Sequence, residues 1–380
     1  MALSIWLTGS LINFYKLRLI EKAKTKISDS SKLIVIGITG SFGKTTTKEF
    51  TSQLLSHKYK ILATPGYVNT ELGIAQFILK NLTKDIEVLI FEMGAYKLGE
   101  INKICQIVKP KIGVLTATSS QHLSLFGSVE NIIQAKFELI EILPKDGLAV
   151  LNADFKQITD RANKFKMKKI LYSTLTQADI VAKDIKVFSS GLKFNIRYRK
   201  KSYPVTTRVI GKQNVSNILA SFAVCLRMGM KIKDLTKFVY TLEVLPGSMK
   251  VIKSAQGSTL IDDSHNINPE GVKLSLEALD SFTGFKKIVI LSPMLELGNQ
   301  TISSHRQVLE IVSEIADMII WIGLDFQQIV RQFKLERKVT QIEVFETWQQ
   351  ALSLLKKYDH KKSVILFEGR NSQKLLEKIV

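Results

Sequence analysis

The chain alternates short apolar runs with longer stretches of helical periodicity. Residues 33–39 (LIVIGIT) are almost wholly apolar and run into Gly40, the pattern of a strand buried on both faces. Residues 44–55 have helix composition. Short apolar runs return at 88–91 (VLIF), 112–115 (IGVL) and 148–151 (LAVL), with helical stretches such as 129–143 between them. Residues 214–228 read as a long helix rich in alanine and leucine. Pro246-Gly247, inside TLEVLPGSMK, is the clearest breaker pair of the second half. The rhythm then restarts: a strand at 259–261, a helix at 269–279, KIVIL at 287–291, a helix at 303–315, MIIWI at 318–322 and SVILF at 363–367. Strands alternating with helices predict an α/β fold with a mainly parallel sheet covered on both faces. The boundary is expected near Leu245, giving an N-terminal helix at 1–31 and domains at 32–245 and 246–380.

The first residues follow another pattern. Residues 2–15 (ALSIWLTGSLINFY) are apolar, and Lys16, Arg18, Glu21, Lys22 and Lys24 follow closely. A spanning helix needs ~20 apolar residues, so this run is too short to cross a bilayer. A signal peptide would carry its charge before the apolar run, not after it. Leu11, Tyr15, Leu19 and Lys22 stand at helical spacing, which suits a helix lying on a membrane surface or one packed on its own protein.

Composition adds bounds. At 380 residues the chain exceeds one comfortable core, and 45% apolar with 23% charged residues is ordinary for a globular protein. Cys105 and Cys225 are far apart and match no metal-ligand spacing, which points to a reducing compartment such as the cytoplasm and to no disulfide. The formal charge of +20 suits an enzyme for anionic substrates. Nucleic acid is not expected as a partner, because the basic clusters at 164–169 (KFKMKK) and 197–201 (RYRKK) lack the interleaved stacking aromatics of RNA-binding motifs.

The chemistry concentrates where the first strand ends, at Gly40-Ser41-Phe42-Gly43-Lys44-Thr45-Thr46. Glycines let backbone N–H groups turn toward phosphate oxygens, and the following helix start adds partial positive charge. Lys44 would neutralise the outer phosphates of ATP, and the Thr45 hydroxyl would be a Mg²⁺ ligand. The spacing is the short GxxGKTT form, not G-x₄-G-K-[ST].

This loop resembles that of the Mur ligases, the amide-forming enzymes of peptidoglycan synthesis. Further blocks fall in the family's order: TPGYVNTELG (64–73), Glu92-Met93-Gly94, QHLSLFGS (121–128), ENIIQAKFE (130–138), VLNAD (150–154), GKQNVSNILA (211–220), DDSHNINP (262–269) and MLELG (294–298) with His305. The resemblance covers residues 32–315 and is strongest to the branch that adds D-alanyl-D-alanine. It implies a P-loop central domain and a smaller Rossmann-like α/β C-terminal domain. It also implies an ADP-forming ligase in which a carboxylate, on UDP-muramoyl peptide, becomes an acyl phosphate that an amine attacks. Site residues carry over with it. Glu92 and His122 would bind magnesium, and Lys136 would do so as a carbamate. Asn214 and Asn217 would contact adenine, while Asp263, His265 and Asn268 would close over ATP. Asn69, Thr70 and Glu71 match a block near the substrate cleft.

Departures from the family pattern matter too. Gln213 replaces a histidine and Ala117 an asparagine. Ser248 stands where PGRM would put an arginine, and Glu368 where a lysine is expected. Only about thirty residues precede the P-loop strand, too few for the family's N-terminal UDP-binding domain. Tight uridine recognition is therefore not expected. Two alternatives stay open: another amide ligase on the same scaffold, such as a folylpolyglutamate synthase-like or amino-acid-polymer synthetase, or a nucleotide-binding protein that has lost ligation.

Overall fold

The computed structural model describes residues 2–30, 32–66, 68–118, 123–265, 267–295, 297, 300–337 and 341–380. Two sheets organise these residues. The first holds nine strands: β1 (Ile34–Thr39), β2 (Ile61–Ala63), β3 (Val88–Glu92), β4 (Ile112–Leu115), β5 (Leu148–Asn152), β6 (Lys168–Ser173), β7 (Ile180–Phe188), β8 (Gly191–Tyr198) and β9 (Lys201–Thr207). The second holds six: β10 (Lys250–Lys253), β11 (Thr259–Asp263), β12 (Lys286–Leu291), β13 (Met318–Ile322), β14 (Ile342–Phe345) and β15 (Ser363–Glu368).

Helices cover both faces of each sheet. With the first sheet go α1 (Ala2–Ser28), α2 (Lys44–Leu55), α3 (Glu71–Asn81), α4 (Glu100–Val108), α5 (Leu123–Phe126), α6 (Val129–Glu141), α7 (Lys156–Ala162), α8 (Gln213–Arg227) and α9 (Ile232–Phe238). With the second go α10 (Pro269–Asp280), α11 (Thr301–Ile315), α12 (Gln327–Glu336), α13 (Trp348–Lys356) and α14 (Arg370–Leu376).

The strand order of the first sheet is β2-β3-β1-β4-β5-β6-β7-β8-β9. Pairing is parallel from β2 through to β7 and antiparallel between β7, β8 and β9. From β1 the chain moves to one side of the sheet, and from β4 it moves to the other. The crevice at the carboxyl ends of β1 and β4 is thus the switch point where α/β sheets take ligands. The second sheet runs β10-β11-β15-β12-β13-β14, parallel except at β10, and brings the ends of β11, β15 and β12 together.

Local sequence explains much of this. The Ile- and Val-rich strands β1, β3, β4 and β5 are buried almost throughout, as strands covered on both faces must be. Helix α6 starts at Ser128, whose side chain accepts from Asn131 N. Helix α10 starts at Asn268, which caps Gly271 N and places Pro269 in the first turn.

In α1 the buried stripe is Ile20, Ala23 and Ile27, packed with residues of α3 and α4, whereas Tyr15 and Lys22 are exposed. Tyr15 and Lys22 thus lie off the packed face, and the side chain of Leu11 lies outside the described residues. The basic residues 197–201 lie at the β8–β9 hairpin, with Arg199 and Lys200 at positive φ in its turn.

One polar seam crosses the core between α2 and α8. Thr47 Oγ1 donates to Asn217 Oδ1 (3.2 Å), Thr51 Oγ1 to Ser221 Oγ (3.0 Å) and Ser221 Oγ to the Asn217 carbonyl (2.9 Å). All four side chains are buried, so each bond lost leaves a group that water cannot reach. Asn217→Ala is expected to destabilise the fold by about 1–3 kcal/mol, read as a lower urea midpoint at unchanged slope. An unshifted midpoint would mean the seam carries no such weight.

Candidate active site

The loop between β1 and α2 is held closely from below. Ser41 N donates to the Ala117 carbonyl (2.9 Å), and Thr116 Oγ1 donates to the Phe42 carbonyl (2.5 Å). A Cβ on Gly40 would lie 2.1 Å from Thr116 Oγ1, and one on Gly43 would lie 2.6 Å from Asn217 Oδ1. Gly43 also has φ +77, so both space and backbone require glycine there. Lys44, Thr45 and Thr46 open α2 half-buried, and Lys44 Nζ reaches back to the Ser41 carbonyl at 3.2 Å. Burial holds the Lys44 ammonium below its ordinary range, while Glu92 pulls the other way.

Glu92 ends β3 beside this loop. Its N–H donates to Thr64 Oγ1 (3.2 Å), the carboxylate is buried, and Oε2 has no hydrogen-bond partner. A buried, unpartnered carboxylate oxygen at a strand end beside the loop that leads to Thr45 is a donor that suits a hard cation such as magnesium. Among the described residues no group of three or more His, Cys, Asp and Glu side chains converges as a metal cluster. His122 lies outside the described residues.

Lys136 lies inside α6 with only 4% of its surface exposed, its Nζ 5.8 Å from the Phe126 ring centre. Burial, and then the charge of Lys44, lower its pKa to about 7, against Glu138 and Glu100. Glu138 binds Gly99 N (2.6 Å) and Asn102 N (2.9 Å), which fixes the start of α4. Asn214 and Asn217 are both committed inside the protein. Asn217 Nδ2 donates to Asn214 Oδ1 (2.9 Å), and Asn214 Nδ2 to the Ile210 carbonyl (2.8 Å). Asn69 lies against Gly94, and Thr70 caps α3 by accepting from Gly73 N.

The second sheet contributes the loop after β11. Asp262 ties this loop to the breaker pair: Gly247 N donates to Asp262 Oδ2 (2.7 Å), and His265 N donates to the Gly247 carbonyl (3.3 Å). Asp263 accepts from Ser275 Oγ (2.6 Å) and pairs in strand register with Glu368. Both carboxyls are desolvated. Burial pushes Asp263 up to about 6, opposed by Ser275 and helped by Asp262, and pushes Glu368 well up, helped by Asp263. Two carboxyls this close share a proton. The His265 imidazole is held below its usual range by burial first and then by Arg370. Lys44 acts the same way, while Glu92 and Asp262 oppose. Lys44 and Glu92 belong to the first sheet, so the two strand-end edges meet over one cleft, with Asn268 at the foot of α10.

Sequence reasoning missed Lys48 and Asp262. Lys48 has no exposed surface and donates to the Thr64 carbonyl (2.5 Å), steadying the residue that holds Glu92. A helix lysine four residues after Lys44 looks like a solvated one, and nothing in the sequence distinguishes it. Asp262 was legible as a neighbour of Asp263, but not its bond to the breaker pair.

No helix among the described residues is long and apolar enough to cross a membrane. The Mur ligase middle domain matches residues 38–225, and the Mur ligase glutamate ligase domain matches 249–371. The chain is 30% identical over 280 residues to the UDP-N-acetylmuramoyl-tripeptide–D-alanyl-D-alanine ligase of Bacillus subtilis (strain 168), covering 73% of this chain and 60% of that protein. It is 29% identical over 276 residues to the Escherichia coli (strain K12) enzyme of that name, covering 72% and 61%. The chain thus spans about 60% of the length of these relatives. Among solved structures, the MurF ligase of Thermotoga maritima in complex with ADP superposes with a TM-score of 0.85 at 26% identity, covering 95% of this chain and 82% of that one. MurF of Acinetobacter baumannii gives 0.86 at 26%, covering 96% and 80%. With a close-packed GxxGKTT loop on one sheet, an Asp-Asp-Ser-His loop on the other, and both domains matched in order, the chain belongs to the Mur ligase family.

Proposed function

We propose that the chain is an ATP-dependent, ADP-forming carboxylate–amine ligase of peptidoglycan precursor synthesis. It would join the carboxylate of a UDP-muramoyl tripeptide to the amine of D-alanyl-D-alanine, as the names of its relatives indicate. The observation that carries this reading is the close-packed cradle at Gly40 and Gly43, opening on the cleft with the orphaned Glu92 oxygen beside it. The separate sheets support a division at Leu245, with 32–245 as the ATP-binding part and 246–380 as the part that admits the amine.

The residues divide the work as follows. Backbone N–H groups of Gly40 and Gly43, with Lys44, Thr45 and Thr46, hold the phosphates in line with the attacking carboxylate, while the Ser41 N–H, bonded to the Ala117 carbonyl, keeps the loop in shape. The carboxylate oxygen bonds to the γ-phosphorus as the bridge to ADP breaks, and Lys44 offsets the charge carried onto ADP. The amine nitrogen then bonds to the acyl carbon, phosphate departs, and the nitrogen gives up a proton. His265 is suited to take that proton, because burial keeps its imidazole neutral near pH 7. Asn214, Asn217 and Asn268 border the nucleotide, and Asp263 anchors the covering loop.

Magnesium, when bound with the nucleotide, neutralises phosphate charge. Thr45, Glu92, His122 and Lys136 would hold it, with Lys136 as its carbamate. Carbamate formation needs a neutral amine, which adds to CO₂ by a new N–C bond and loses one proton. A lysine brought down to about 7 is neutral in useful amount at physiological pH.

In α1, Phe14, Tyr15 and Leu17 are 67%, 64% and 54% exposed and stand next to Lys16, Arg18, Lys22 and Lys24. This combination favours contact of α1 with an anionic membrane surface on the cytoplasmic side. Phe14→Ser with Leu17→Ser should lower sedimentation with phosphatidylglycerol vesicles at low salt. Equal sedimentation of the two proteins would refute the contact.

Lys44→Ala should cut ADP formation by about 100-fold or more while leaving the thermal midpoint in place, because Lys44 supplies charge and not core packing. Near-normal ADP release by the folded variant would remove the assignment. Lys136→Ala should be inactive and partly restored by short-chain carboxylates, which can fill the vacated oxygen-ligand position. Wild-type rate should also fall as pH drops below about 7 and Lys136 takes up its proton. Carbon-13 bicarbonate NMR should find the carbamate signal in wild type and lose it in the variant; its absence from active wild-type enzyme would sink the idea.

A further inference from the structure

Two departures from the family pattern remove cations from the second sheet's side of the cleft, at Ser248 and at Glu368. The structure alters the meaning of the second. Glu368 is 1% exposed, sits in strand register with Asp263, and leaves Oε1 without a partner. A carboxyl so buried beside another is carried protonated. The lysine-to-glutamate change is therefore the loss of a cation into the core, not the gain of an anion at the site.

Two residues further on, the chain comes to the surface at Arg370, which is exposed. Its backbone is fixed on every side. A Cβ on Gly369 would come within 2.8 Å of Ser292 and 2.9 Å of Ile267, so this peptide is pressed between the β12 end and the Asp-Asp-Ser-His loop. Asn371 Nδ2 donates to the Ile322 carbonyl (3.1 Å), and Ser372 N donates to Ser292 Oγ (3.1 Å). Among the described residues the Arg370 guanidinium has no hydrogen bond or ion pair. The charges acting on the His265 ring include Arg370 from the second sheet and Lys44 and Glu92 from the first. A guanidinium on a rigid mount, with its donors unspent at the cleft, is built to receive an oxyanion.

We propose that Arg370 supplies the cation that the second sheet otherwise lacks, binding an oxyanion of the reacting groups: the terminal phosphate of the nucleotide or the carboxylate of the acceptor. This rests on the ligase reading, and the two sources of the oxyanion separate experimentally.

The test uses the full chain with Arg370→Gln and Arg370→Lys. In the nucleotide arm, titration calorimetry with magnesium compares a non-hydrolysable ATP analogue with ADP. A terminal-phosphate contact predicts that Arg370→Gln weakens the analogue about tenfold or more while ADP stays within about twofold. In the acceptor arm, steady-state ADP release compares D-alanyl-D-alanine with its C-terminal amide. A carboxylate contact predicts that Arg370→Gln raises KM for the dipeptide about tenfold and leaves KM for the amide unchanged. In either case Arg370→Lys recovers part of the loss, because it keeps the charge but not the paired N–H donors. No change in either arm, with an active wild-type chain, overturns the proposal. Wild-type protein that makes no ADP from these substrates defeats the ligase reading instead, and the nucleotide arm then decides Arg370 alone.

Discussion

The structure depends on how little room lies beneath the backbone of Gly40 and Gly43. One is pressed on Thr116 at the end of β4, the other on Asn217 in α8. That proximity ties two elements remote in sequence to one loop. It explains why α8 joins α2 through hydrogen-bonded Thr, Asn and Ser in the middle of an apolar core. An apolar seam would bury more area, but it would not fix the height of α2 against α8, and the loop would lose its shape. Asn214 and Asn217 illustrate this. Their amides are spent on Ile210, Thr47 and each other, so whatever they offer a nucleotide comes from the rigidity they impose as much as from spare donors.

Charge in the cleft follows a second constraint. Of the groups gathered there, Lys44 and Lys136 are desolvated cations, and the charge of Lys44 further depresses Lys136, with Glu92, Glu100 and Glu138 nearby. On the facing sheet Asp263 and Glu368 are desolvated acids held partly protonated. Burial thus lowers the effective charge on both sides before any substrate arrives. Phosphate oxygens entering such a site meet fixed N–H groups and weakened cations instead of a tight internal salt bridge that would first have to break. The net charge of +20 contributes little to this local balance; many of its lysines lie on the outer faces, as at 164–169.

Much of the α/β frame was legible because fully buried parallel strands leave nearly unbroken apolar runs. The helix at 44–55 and the strands at 112–115 and 318–322 appear with the bounds read from sequence. The antiparallel ribbon β7–β9 was not read, although its burial alternates with a period of two over Lys183–Phe188. Its lysines and arginines on the wet face looked like charge clusters, which masked the alternating Ile, Val and Phe on the other. Short strands such as β2 and β14 carry too few residues to stand out, and their place is set by neighbours. At the site, glycines and strand-end residues announce themselves because backbone geometry constrains them. Lys48 and Asp262 do not, since their importance lies in partners at Thr64 and Gly247 that no local pattern reveals.

The Asp262–Gly247 bond also bears on how the two halves communicate. Gly247 sits at φ +77, where a Cβ would come 2.9 Å from that of His265. The connection between the sheets is therefore in direct contact with the loop that covers the site. Any rotation of the second sheet about this connection must move His265 with it, because Gly247 holds both the Asp262 carboxylate and the His265 N–H. A flexible tether would let the halves approach without specifying how they meet. A connection bonded into the Asp-Asp-Ser-His loop instead ties the position of His265 to the path the chain takes between the sheets. The residue at this junction, a glycine in left-handed geometry, is also the one whose small size lets His265 lie against it.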